Sequence, residues 1–381
     1  MRMLVLGAGL QGSACAYDLL QNPEVKEVRL ADLHTGHLEQ FLAPYSGNRL
    51  IFTPLDVRDK EAVLALMRQS DAVMSAIPYY FNYDLAALAV EAGVNFSDLG
   101  GNTEIVFKQK TLDAIAKKKG ITVIPDCGLA PGMVNILAEH AIEQLDTVES
   151  VRIFVGGLPQ NPQPPLNYQI VYSLEGVLDY YTTLSWVLRG GKRTQVEALS
   201  EIESVRFDGS VGELEGFHTA GGLSTMAFRY EGKIPTMEYK TLRYPGHAKI
   251  MEAIRELGLL ELKPVDVKGM KVVPRDLVVA AMGPILTKPD AFDLVALRVF
   301  AEGTKKGKPK RIGWELVDYY DQTNGISAME RSTGYSLSIT GQMQARGEIG
   351  KSGVFTPDEA IPPKKYISEL AKRGVMIKEM K

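Results

Sequence analysis

The sequence predicts an α/β protein in which a doubly wound parallel sheet precedes a second domain of the α+β class. Two observations carry this prediction. Short apolar runs alternate with helix-forming stretches through the first 130 residues, and longer strand-like runs follow, joined by a proline-rich loop and a polar-tipped hairpin. The length of 381 residues also exceeds the roughly 250–300 residues that one core accommodates, so two domains are expected.

The chain begins with a glycine motif. Gly7, Gly9 and Gly12 spell G-x-G-x-x-G directly after the apolar run "MLVL". The helix-forming "SACAYDLLQ" and the strand-like "EVRLAD" follow, and the latter ends at Asp32, twenty residues after Gly12. This order predicts a binding site for a dinucleotide. The pyrophosphate would lie at the helix N-terminus, and a ribose hydroxyl would donate a hydrogen bond to Asp32. A secretory leader is the weaker interpretation. Its apolar region needs roughly 7–15 residues, whereas the apolar run here extends only from Met3 to Leu6 before the glycines.

The later elements of the first domain keep the alternation. They are the helical "TGHLEQFLAPY", the strand "LIFTPLDV", the helix "KEAVLALMRQ", the strand "DAVMSAI", the stretches "YYFNYDLAALAVEAG" and "NFSDLGG", the helix "TLDAIAKKKG" and the strand "TVIPDCG". Ligands of such sheets bind beyond the carboxyl ends of the strands. Five residues fall at or just after predicted strand ends, and we expect them to face one crevice: Asp32, Asp56, Pro78, Asp98 and Asp126.

The second part of the chain has a different pattern. The helix "APGMVNILAEHAIEQL" opens with Pro131 near its first turn, as helices prefer. The strand "SVRIFVGGL", the loop "PQNPQPPLNY" and the hairpin "LVALRVFAEGTKKGKPKRIGWELVDYY" follow, and "SAMERSTGYSLSITGQMQARG" is again helical. The "KKGKPKR" charge run is most simply a solvated turn.

The composition argues against several classes of partner. The net charge of −3 gives no case for nucleic acid or an anionic membrane. No apolar run reaches the roughly 18 residues that span a bilayer. Cys15 and Cys127 are the only cysteines and lie far apart, which fits a reducing cytoplasm. Neither has a second Cys or His at metal-ligand spacing, so we expect no metal site.

Four stretches resemble the saccharopine dehydrogenase family, and the similarity covers nearly the whole chain. They are "SAIPYYFNYDLAALAVEAGVNFSDLGG", "IPDCGLAPGMVNILA", "TLRYPGHAKIMEAIRELGLL", and "ERSTGYSLSITGQMQARGEI" followed by "GVFTPDEAIP". The last is similar to a C-terminal helix that returns to the nucleotide domain. The resemblance implies a Rossmann domain of residues 1–130 plus 327–381 and a substrate and oligomerisation domain of residues 131–326. We expect a cytoplasmic homo-oligomer.

The sequence departs from the family's reductases at two points. Asp32 is followed by Leu33 and His34 with no arginine, and a carboxylate bonds a ribose 2′-hydroxyl but repels a 2′-phosphate. NAD is therefore expected rather than NADP. In "YSLEGVLDYY", Glu175 stands where the reductases carry Arg, which favours a substrate with a cationic end group.

The motif and the resemblance together indicate the cofactor-binding residues. They are Gly7, Gly9, Leu10, Gln11, Gly12, Asp32, Asp56, Val57, Ala76, Pro78 and Asp98. Pro78 shapes the turn on which the cofactor ribose would lie. For Asp56 two interpretations stay open: a bond near the adenine, or a cap of the following helix.

Arg243, Asp126 and Tyr244 are the substrate-binding candidates. A guanidinium gives a two-pronged match to an α-carboxylate, although Arg243 could also form a structural ion pair. The catalytic candidates are Glu175, His218 and Tyr80. His218 lies in the glycine-flexed "GFHTAGG" and is either an acid/base or a loop histidine bonded to backbone.

The resemblance implies NAD-dependent oxidative deamination of L-lysine at the ε-amine. The products would be 2-aminoadipate 6-semialdehyde, which cyclises, together with ammonia and NADH. One alternative is a reductive condensation of the saccharopine reductase or carboxynorspermidine synthase type. A non-enzymatic alternative is a regulator that binds NAD without turnover.

Overall fold

The computed structural model describes residues 1–34, 36, 38–288 and 292–380. The strands are β1 (Arg2–Leu6), β2 (Glu27–Asp32), β3 (Leu50–Pro54), β4 (Ala72–Ser75), β5 (Asn95–Asp98), β6 (Thr122–Ile124), β7 (Thr147–Pro159), β8 (Ser185–Arg189), β9 (Lys192–Val196), β10 (Glu203–Arg206), β11 (Glu213–His218), β12 (Thr236–Arg243), β13 (Val265–Val267), β14 (Met270–Val272), β15 (Asp293–Lys305), β16 (Lys308–Tyr319), β17 (Gly353–Val354) and β18 (Lys378–Glu379). The helices are α1 (Leu10–Gln21), α2 (Lys60–Met67), α3 (Asn82–Ala92), α4 (Thr103–Lys110), α5 (Asp113–Lys119), α6 (Met133–Ile142), α7 (Leu174–Thr182), α8 (Met226–Arg229), α9 (His247–Glu256), α10 (Pro274–Leu286), α11 (Ala328–Ala345), α12 (Pro357–Ala360) and α13 (Pro363–Lys372).

The first sheet is parallel throughout and has the strand order β17-β6-β5-β4-β1-β2-β3. The order reverses around β1, because β2 and β3 lie on one side of it and β4 to β6 on the other. A parallel sheet with such a reversal opens a ligand crevice at the carboxyl ends of its strands. The predicted fold class is therefore confirmed for this domain.

One helix predicted in this domain is wrong. In the stretch "TGHLEQFLAPY" only a short 3₁₀ segment, Gln40–Tyr45, forms. Pro44 lies inside this segment, and a proline lacks the amide hydrogen that a longer α-helix would need. Thr35 and His37 of the same stretch lie outside the described residues.

The C-terminal part of the chain returns to the first sheet. Helix α11 packs on α1, and a Cβ added at Gly334 would lie only 2.7 Å from the Gln11 carbonyl oxygen. The Ser338 hydroxyl donates to Asp18 (2.6 Å), and β17 pairs with β6. The final strand β18 instead pairs with β16 of the second sheet.

The second sheet is mixed, with the order β10-β11-β12-β7-β15-β16-β18 and the β8–β9 hairpin attached to β12. Its long hairpin β15–β16 turns at Lys306 and Gly307, both with positive φ, as the charge run predicted. Helix α6 begins at Met133, two residues after Pro131, because Gly132 has a φ of +130° and is not helical.

Both sheets contribute to one continuous core. Val5 of the first sheet, Leu137 of α6, Val299 of β15 and Leu337 of α11 all belong to it. This core places the carboxyl ends of the first sheet beside β7 and β12. Among the described helices, none is both long and apolar enough to cross a bilayer.

Candidate active site

A cavity of about 500 Å³ lies where the two domains meet. One wall consists of the loops after β4, β5 and β6, including Ala76, Pro78, Gly100 and Gly128. The opposite wall comes from β7, β12 and α7, and α11 closes one side with Met329 and Thr333. The cavity therefore combines the ligand edge of the parallel sheet with side chains from the mixed sheet.

The glycine motif forms a tight turn at the edge of this cavity. Gly7 has a φ of +98°, and a Cβ added at Gly12 would lie 1.8 Å from the Gly7 carbonyl oxygen, so neither position tolerates a side chain. A Cβ added at Gly9 would meet nothing within 4 Å. The space above the N-terminus of α1 is thus open to a ligand.

Asp32 lies beside this turn, as the motif predicts. Its Oδ2 accepts the Ala8 amide hydrogen (2.7 Å) and its Oδ1 accepts that of His34 (2.8 Å). The carboxylate is therefore fixed at the carboxyl end of β2, where the acid of a dinucleotide site bonds the ribose.

The side chain of Gln11 is a further indication, separate from the glycine turn and Asp32, that a ligand binds here. Its Oε1 and Nε2 are both buried and have no hydrogen-bond partner among the described residues, and the side chain lines the cavity. A buried amide without partners is costly. Together with the open space at Gly9 and the uncapped N-terminus of α1, this arrangement fits a dinucleotide.

The other cofactor candidates divide into two groups. Ala76 and Pro78 line the cavity, whereas Asp56 and Val57 do not. The Asp56 carboxylate pairs with Arg58 (2.6 Å), whose hydrogen bonds lower the pKa of Asp56 to about 2. The cap interpretation of Asp56 is wrong, because Asp59 caps α2 by accepting the Ala62 amide hydrogen (3.1 Å).

Asp98 and Asp126 are buried beneath the cavity and do not line it. Asp98 accepts the Gly100 amide hydrogen (2.7 Å), and burial raises its pKa to about 7. Asp126 accepts from Gly101 N–H (3.1 Å) and from the Ser224 hydroxyl, and burial raises its pKa to about 6. Both carboxyl groups therefore hold the glycine loop of the cavity wall, and Asp126 also links that loop to the second domain.

Arg243 is the most informative residue of the opposite wall. It lines the cavity but is only 3% exposed, and its guanidinium lies over the Tyr168 ring (4.8 Å). Nη1 donates to the Leu242 carbonyl (2.8 Å), while Nε is buried without a partner. Within the described part of the chain no carboxylate forms an ion pair with it. A buried cation without an anion is unfavourable, so this site is suited to an anionic ligand.

The groups behind Arg243 are neutral. His247 accepts from the Tyr181 hydroxyl at Nε2 (2.9 Å) and donates to the Leu166 carbonyl from Nδ1 (3.0 Å). Burial, and then the Arg243 charge, lower the pKa of His247 to about 3. The guanidinium charge therefore remains uncompensated on this side.

Helix α7 provides the acidic side of the cavity. Ser173 caps it by accepting the Gly176 amide hydrogen (3.2 Å), and Glu175 in its first turn is exposed and lines the cavity. Asp179, one turn further on, also lines it and pairs with Arg275. A second cavity of about 510 Å³ adjoins the first and shares Asp179 and Tyr180 with it.

The structure does not bring all predicted residues to the cavity. Tyr80 lines it and is 60% exposed. His218 does not line the cavity and is fully buried. Its Nδ1 lies near the Tyr239 carbonyl (3.2 Å) and its Nε2 near the Glu201 carboxylate (3.1 Å). The Tyr244 hydroxyl donates to the Pro159 carbonyl (3.0 Å), and this side chain does not line the cavity either.

His218 belongs to a charge network with possible metal ligands. Glu201, His218 and Glu238 have ligand atoms within 4.8 Å of one another. However, Arg189 pairs with both glutamates, and Arg152 also pairs with Glu238. The carboxylates are already neutralised, which argues for a structural ion network.

Several residues that line the cavity are not among the site residues predicted from the sequence. Tyr239 and Thr241 alternate with Arg243 along β12, so the three share one face of the strand. Asp179 follows Glu175 at the i, i+4 spacing of one helix face. Both spacings were visible in "EYKTLR" and "LEGVLDYY", and they could have extended the predicted site.

Fold and cavity define a class: a two-domain dinucleotide-binding protein whose ligand site lies between a Rossmann domain and a mixed-sheet domain. Residues 3–124 match the model of the saccharopine dehydrogenase NADP binding domain, and residues 128–375 match that of the saccharopine dehydrogenase C-terminal domain. The chain belongs to the saccharopine dehydrogenase family.

Two individual relatives have low sequence identity to this chain. The mitochondrial alpha-aminoadipic semialdehyde synthase of Mus musculus is 29% identical over 272 residues, covering 68% of this chain and 28% of that protein. The saccharopine dehydrogenase (NADP(+), L-glutamate-forming) of Saccharomyces cerevisiae is 26% identical over 276 residues, covering 68% of this chain and 58% of that one. The chain thus spans from about a quarter to somewhat over half of the length of these relatives.

A solved structure shares the fold along its whole length. The apo histidine-tagged saccharopine dehydrogenase (L-Glu forming) from Saccharomyces cerevisiae superposes with a TM-score of 0.81 at 22% identity. The superposition covers 100% of this chain and 99% of that chain.

Proposed function

We propose that this protein is an NAD-dependent L-lysine 6-dehydrogenase. It would convert L-lysine, NAD⁺ and water into 2-aminoadipate 6-semialdehyde, ammonia and NADH, and the semialdehyde would cyclise to piperideine-6-carboxylate. The observation that carries the proposal is Arg243, a buried cation that lines the cavity and has no carboxylate partner among the described residues. A planar guanidinium matches the α-carboxylate of an amino acid.

The charges around the cavities favour a substrate with one carboxylate and a distal amine. Among the described residues that line the two cavities, Arg243 is the one basic side chain. The acidic side chains there are Glu104, Glu175 and Asp179. A substrate with several carboxylates would need more than one cation, whereas the lysine ε-ammonium is suited to the acidic side.

Glu175 is the candidate that handles the proton of the ε-amine. The lysine ammonium has a pKa of about 10.4 in water, and it must lose a proton because the iminium product requires the nitrogen lone pair. Glu175 lines the cavity, unlike His218, and its carboxylate can hold the ammonium and accept the proton. A bound nicotinamide would supply the hydride acceptor.

An isotope experiment tests the proposal. The protein is incubated with NAD⁺ and L-lysine carrying deuterium at C6, and NADH, ammonia and the cyclic imine are quantified. We expect equal amounts of NADH and ammonia, with the label on the reduced cofactor. In a parallel incubation with lysine deuterated at C2 instead, label on the reduced cofactor would contradict oxidation at the ε-carbon.

A second candidate function is favoured by the named relatives. Saccharopine dehydrogenases of the L-glutamate-forming type are among the proteins to which the chain is similar. In that case the protein would reversibly form a secondary amine from an aldehyde and an amino acid. An absolute requirement for such a second organic substrate in the same assay would favour this candidate.

The cofactor preference depends on Asp32. We expect the unmodified protein to use NAD more efficiently than NADP, and the Asp32→Ser/Leu33→Arg variant to lose or reverse that preference. A hydrogen bond to a charged group contributes roughly 1.5–3 kcal/mol, so the ratio of kcat/KM values should change by about tenfold or more. Leu33 is 56% exposed, so arginine fits there.

Leu33→Arg alone is the control, because it adds the cation but keeps the Asp32 carboxylate. This variant should retain most of the preference for NAD. Equal efficiency of the unmodified protein with both cofactors would contradict the role of Asp32.

Glu175→Gln tests the acidic side of the cavity. The variant removes a charge from an exposed side chain, so we expect a moderate rise in the KM for lysine, about 1.4- to fivefold, from the roughly 0.2–1 kcal/mol of an exposed ion pair. Because Glu175 is the proposed proton acceptor, kcat should fall as well. Binding of NAD should not change.

The matched control for Glu175 is Glu252→Gln on α9, an exposed acid that does not line either cavity. Steady-state kinetics with lysine and a separate titration of NAD distinguish the two effects. Unchanged lysine kinetics in Glu175→Gln would remove Glu175 from the site.

A further inference from the structure

The strand residue directly opposite Arg243 is an acid that does not pair with it. In the antiparallel β11–β12 pair, Glu215 is the register partner of Arg243, and the Cβ atoms of such partners lie roughly 4.5–5.5 Å apart. The Glu215 side chain is buried, but its Oε2 accepts the Gly246 amide hydrogen (2.9 Å) and its Oε1 accepts that of Ala248 (2.6 Å). Both amides belong to the N-terminus of α9. The helix end therefore binds both oxygens of the carboxylate that the strand register brings opposite the guanidinium.

His247, the first residue of α9, lies in an aromatic enclosure beside Arg243. Its imidazole meets the Tyr168 ring (5.4 Å) and the Tyr181 ring (5.7 Å) nearly at right angles, and it stacks on the Phe217 ring (6.3 Å). Burial among such rings disfavours a charged imidazole. The Tyr168 ring also lies under the Arg243 guanidinium. The positive charge of this cluster is thus confined to the guanidinium.

The hydrogen bonds of His247 fix its tautomer. The Leu166 carbonyl can only accept, so Nδ1 carries the hydrogen and Nε2 accepts the hydrogen of the Tyr181 hydroxyl. Because this hydrogen is directed at the imidazole, the Tyr181 oxygen can offer only lone pairs to a neighbouring cation. Burial raises the pKa of the Tyr181 hydroxyl, and the positive charge of the nearby Arg243 partly opposes that rise. A neutral oxygen therefore faces the guanidinium charge.

We propose that His247 is a specificity-determining positioning residue, which acts through the Tyr181 hydroxyl to hold Arg243 in place without cancelling its charge. A carboxylate at position 247 would compete with the substrate carboxylate for the guanidinium. A neutral imidazole orients the hydroxyl and leaves the charge available. Together with the capture of Glu215 by α9, this keeps Arg243 ready for a carboxylate that enters from the cavity.

This inference rests on one part of the proposed function, the binding of an α-carboxylate by Arg243. It does not depend on which carbon of the substrate is oxidised. L-Norleucine separates the two questions, because it has the α-carboxylate and α-amine of lysine but no ε-amine. Its binding can be measured by calorimetry without turnover.

His247→Asn and His247→Asp form a matched pair, because asparagine and aspartate have the same size and differ in charge. Loss of a neutral hydrogen bond should weaken norleucine binding by His247→Asn about two- to tenfold relative to the unmodified protein. His247→Asp should bind norleucine about ten- to a hundredfold more weakly again, because its carboxylate competes for Arg243. Equal affinities of the two variants would overturn the inference, and so would an unmodified protein that does not bind norleucine.

Tyr181→Phe is a milder variant, and it decides the matter if His247→Asp does not fold. It removes only the hydroxyl between His247 and Arg243, so the KM for lysine should rise about two- to tenfold while kcat stays the same. The KM for cadaverine, which has no carboxylate, should not change. Tyr366→Phe is the control, because its buried hydroxyl bonds Ser336 (2.6 Å) and its side chain lines neither cavity.

The control should show unchanged lysine kinetics. Equal rises in the KM values for lysine and cadaverine in Tyr181→Phe would contradict the positioning role, because a general distortion of the site would affect both substrates. If lysine is not oxidised at C6 but norleucine binding depends on the charge at position 247 as expected, the inference stands and the proposed function fails. If lysine is oxidised at C6 and the two His247 variants bind norleucine equally, the proposed function stands and the inference fails.

Discussion

Arg243→Lys should reduce kcat/KM for L-lysine by about ten- to a hundredfold. The guanidinium is buried, lines the cavity and lacks an acidic partner among the described residues, so the substrate carboxylate would be its main anionic contact. A charge-assisted hydrogen bond contributes roughly 1.5–3 kcal/mol, and an ammonium cannot reproduce the two-pronged geometry. Steady-state kinetics with lysine, followed as NADH formation, give the ratio directly.

Cadaverine separates carboxylate recognition from a general loss of activity. It keeps both amines of lysine but has no carboxylate, so the unmodified protein should use it about ten- to a hundredfold less efficiently. Arg243→Lys should discriminate much less between the two substrates. Arg255→Lys is the control, because the Arg255 guanidinium donates to the Ala198 carbonyl (2.8 Å) outside the cavity. Equal use of cadaverine and lysine by the unmodified protein would show that Arg243 does not bind a carboxylate.

The nucleotide end of the site was predictable because its determinants are local. The strand, the turn with Gly7 and Gly12, the helix and Asp32 lie within 31 consecutive residues, from Arg2 to Asp32. Gly12 has a local steric reason, because an added Cβ would lie 1.8 Å from the Gly7 carbonyl oxygen, and Gly7 has a local conformational one, because its φ is +98°. Short-range geometry of this kind can be inferred from spacing alone.

The opposite wall was less predictable because distant partners decide which side chains reach the cavity. The glycines around His218 indicated a flexible loop, but Glu201 and the Tyr239 carbonyl hold this imidazole in a buried network. Asp126 followed a strand end as predicted, yet Ser224, 98 positions later, helps to fix its carboxyl group beneath the cavity. Such long-range hydrogen bonds have no local signature in the sequence.

The return of α11 to the first sheet was inferred from family resemblance, although a physical signal was present. Gly334 and Gly341 lie seven residues apart, about two turns of the helix. A Cβ added at Gly341 would lie 2.1 Å from the Met74 sulfur, and one at Gly334 would lie 2.7 Å from the Gln11 carbonyl oxygen. Paired glycines on one side of a long helix indicate close packing, here against β4 and α1.

Gly9→Val should abolish most of the NAD affinity while leaving the protein folded. A Cβ at this position meets no atom within 4 Å, and the backbone angles, φ −72° and ψ −176°, are accessible to valine. The added side chain would occupy the space through which a pyrophosphate approaches the N-terminus of α1. We expect the Kd for NAD to rise at least about a hundredfold, equivalent to about 2.7 kcal/mol.

Thermal unfolding with and without NAD measures both properties of this variant. Without NAD, Gly9→Val should unfold near the temperature of the unmodified protein, but added NAD should no longer raise that temperature, because a ligand stabilises only the state that it binds. Gly12→Ala is the matched comparison: its Cβ would lie 1.8 Å from the Gly7 carbonyl oxygen, so this smaller change should lower the unfolding temperature even without NAD. If Gly9→Val still responds to NAD as the unmodified protein does, the dinucleotide does not bind over the glycine turn, and the assignment of this end of the cavity fails.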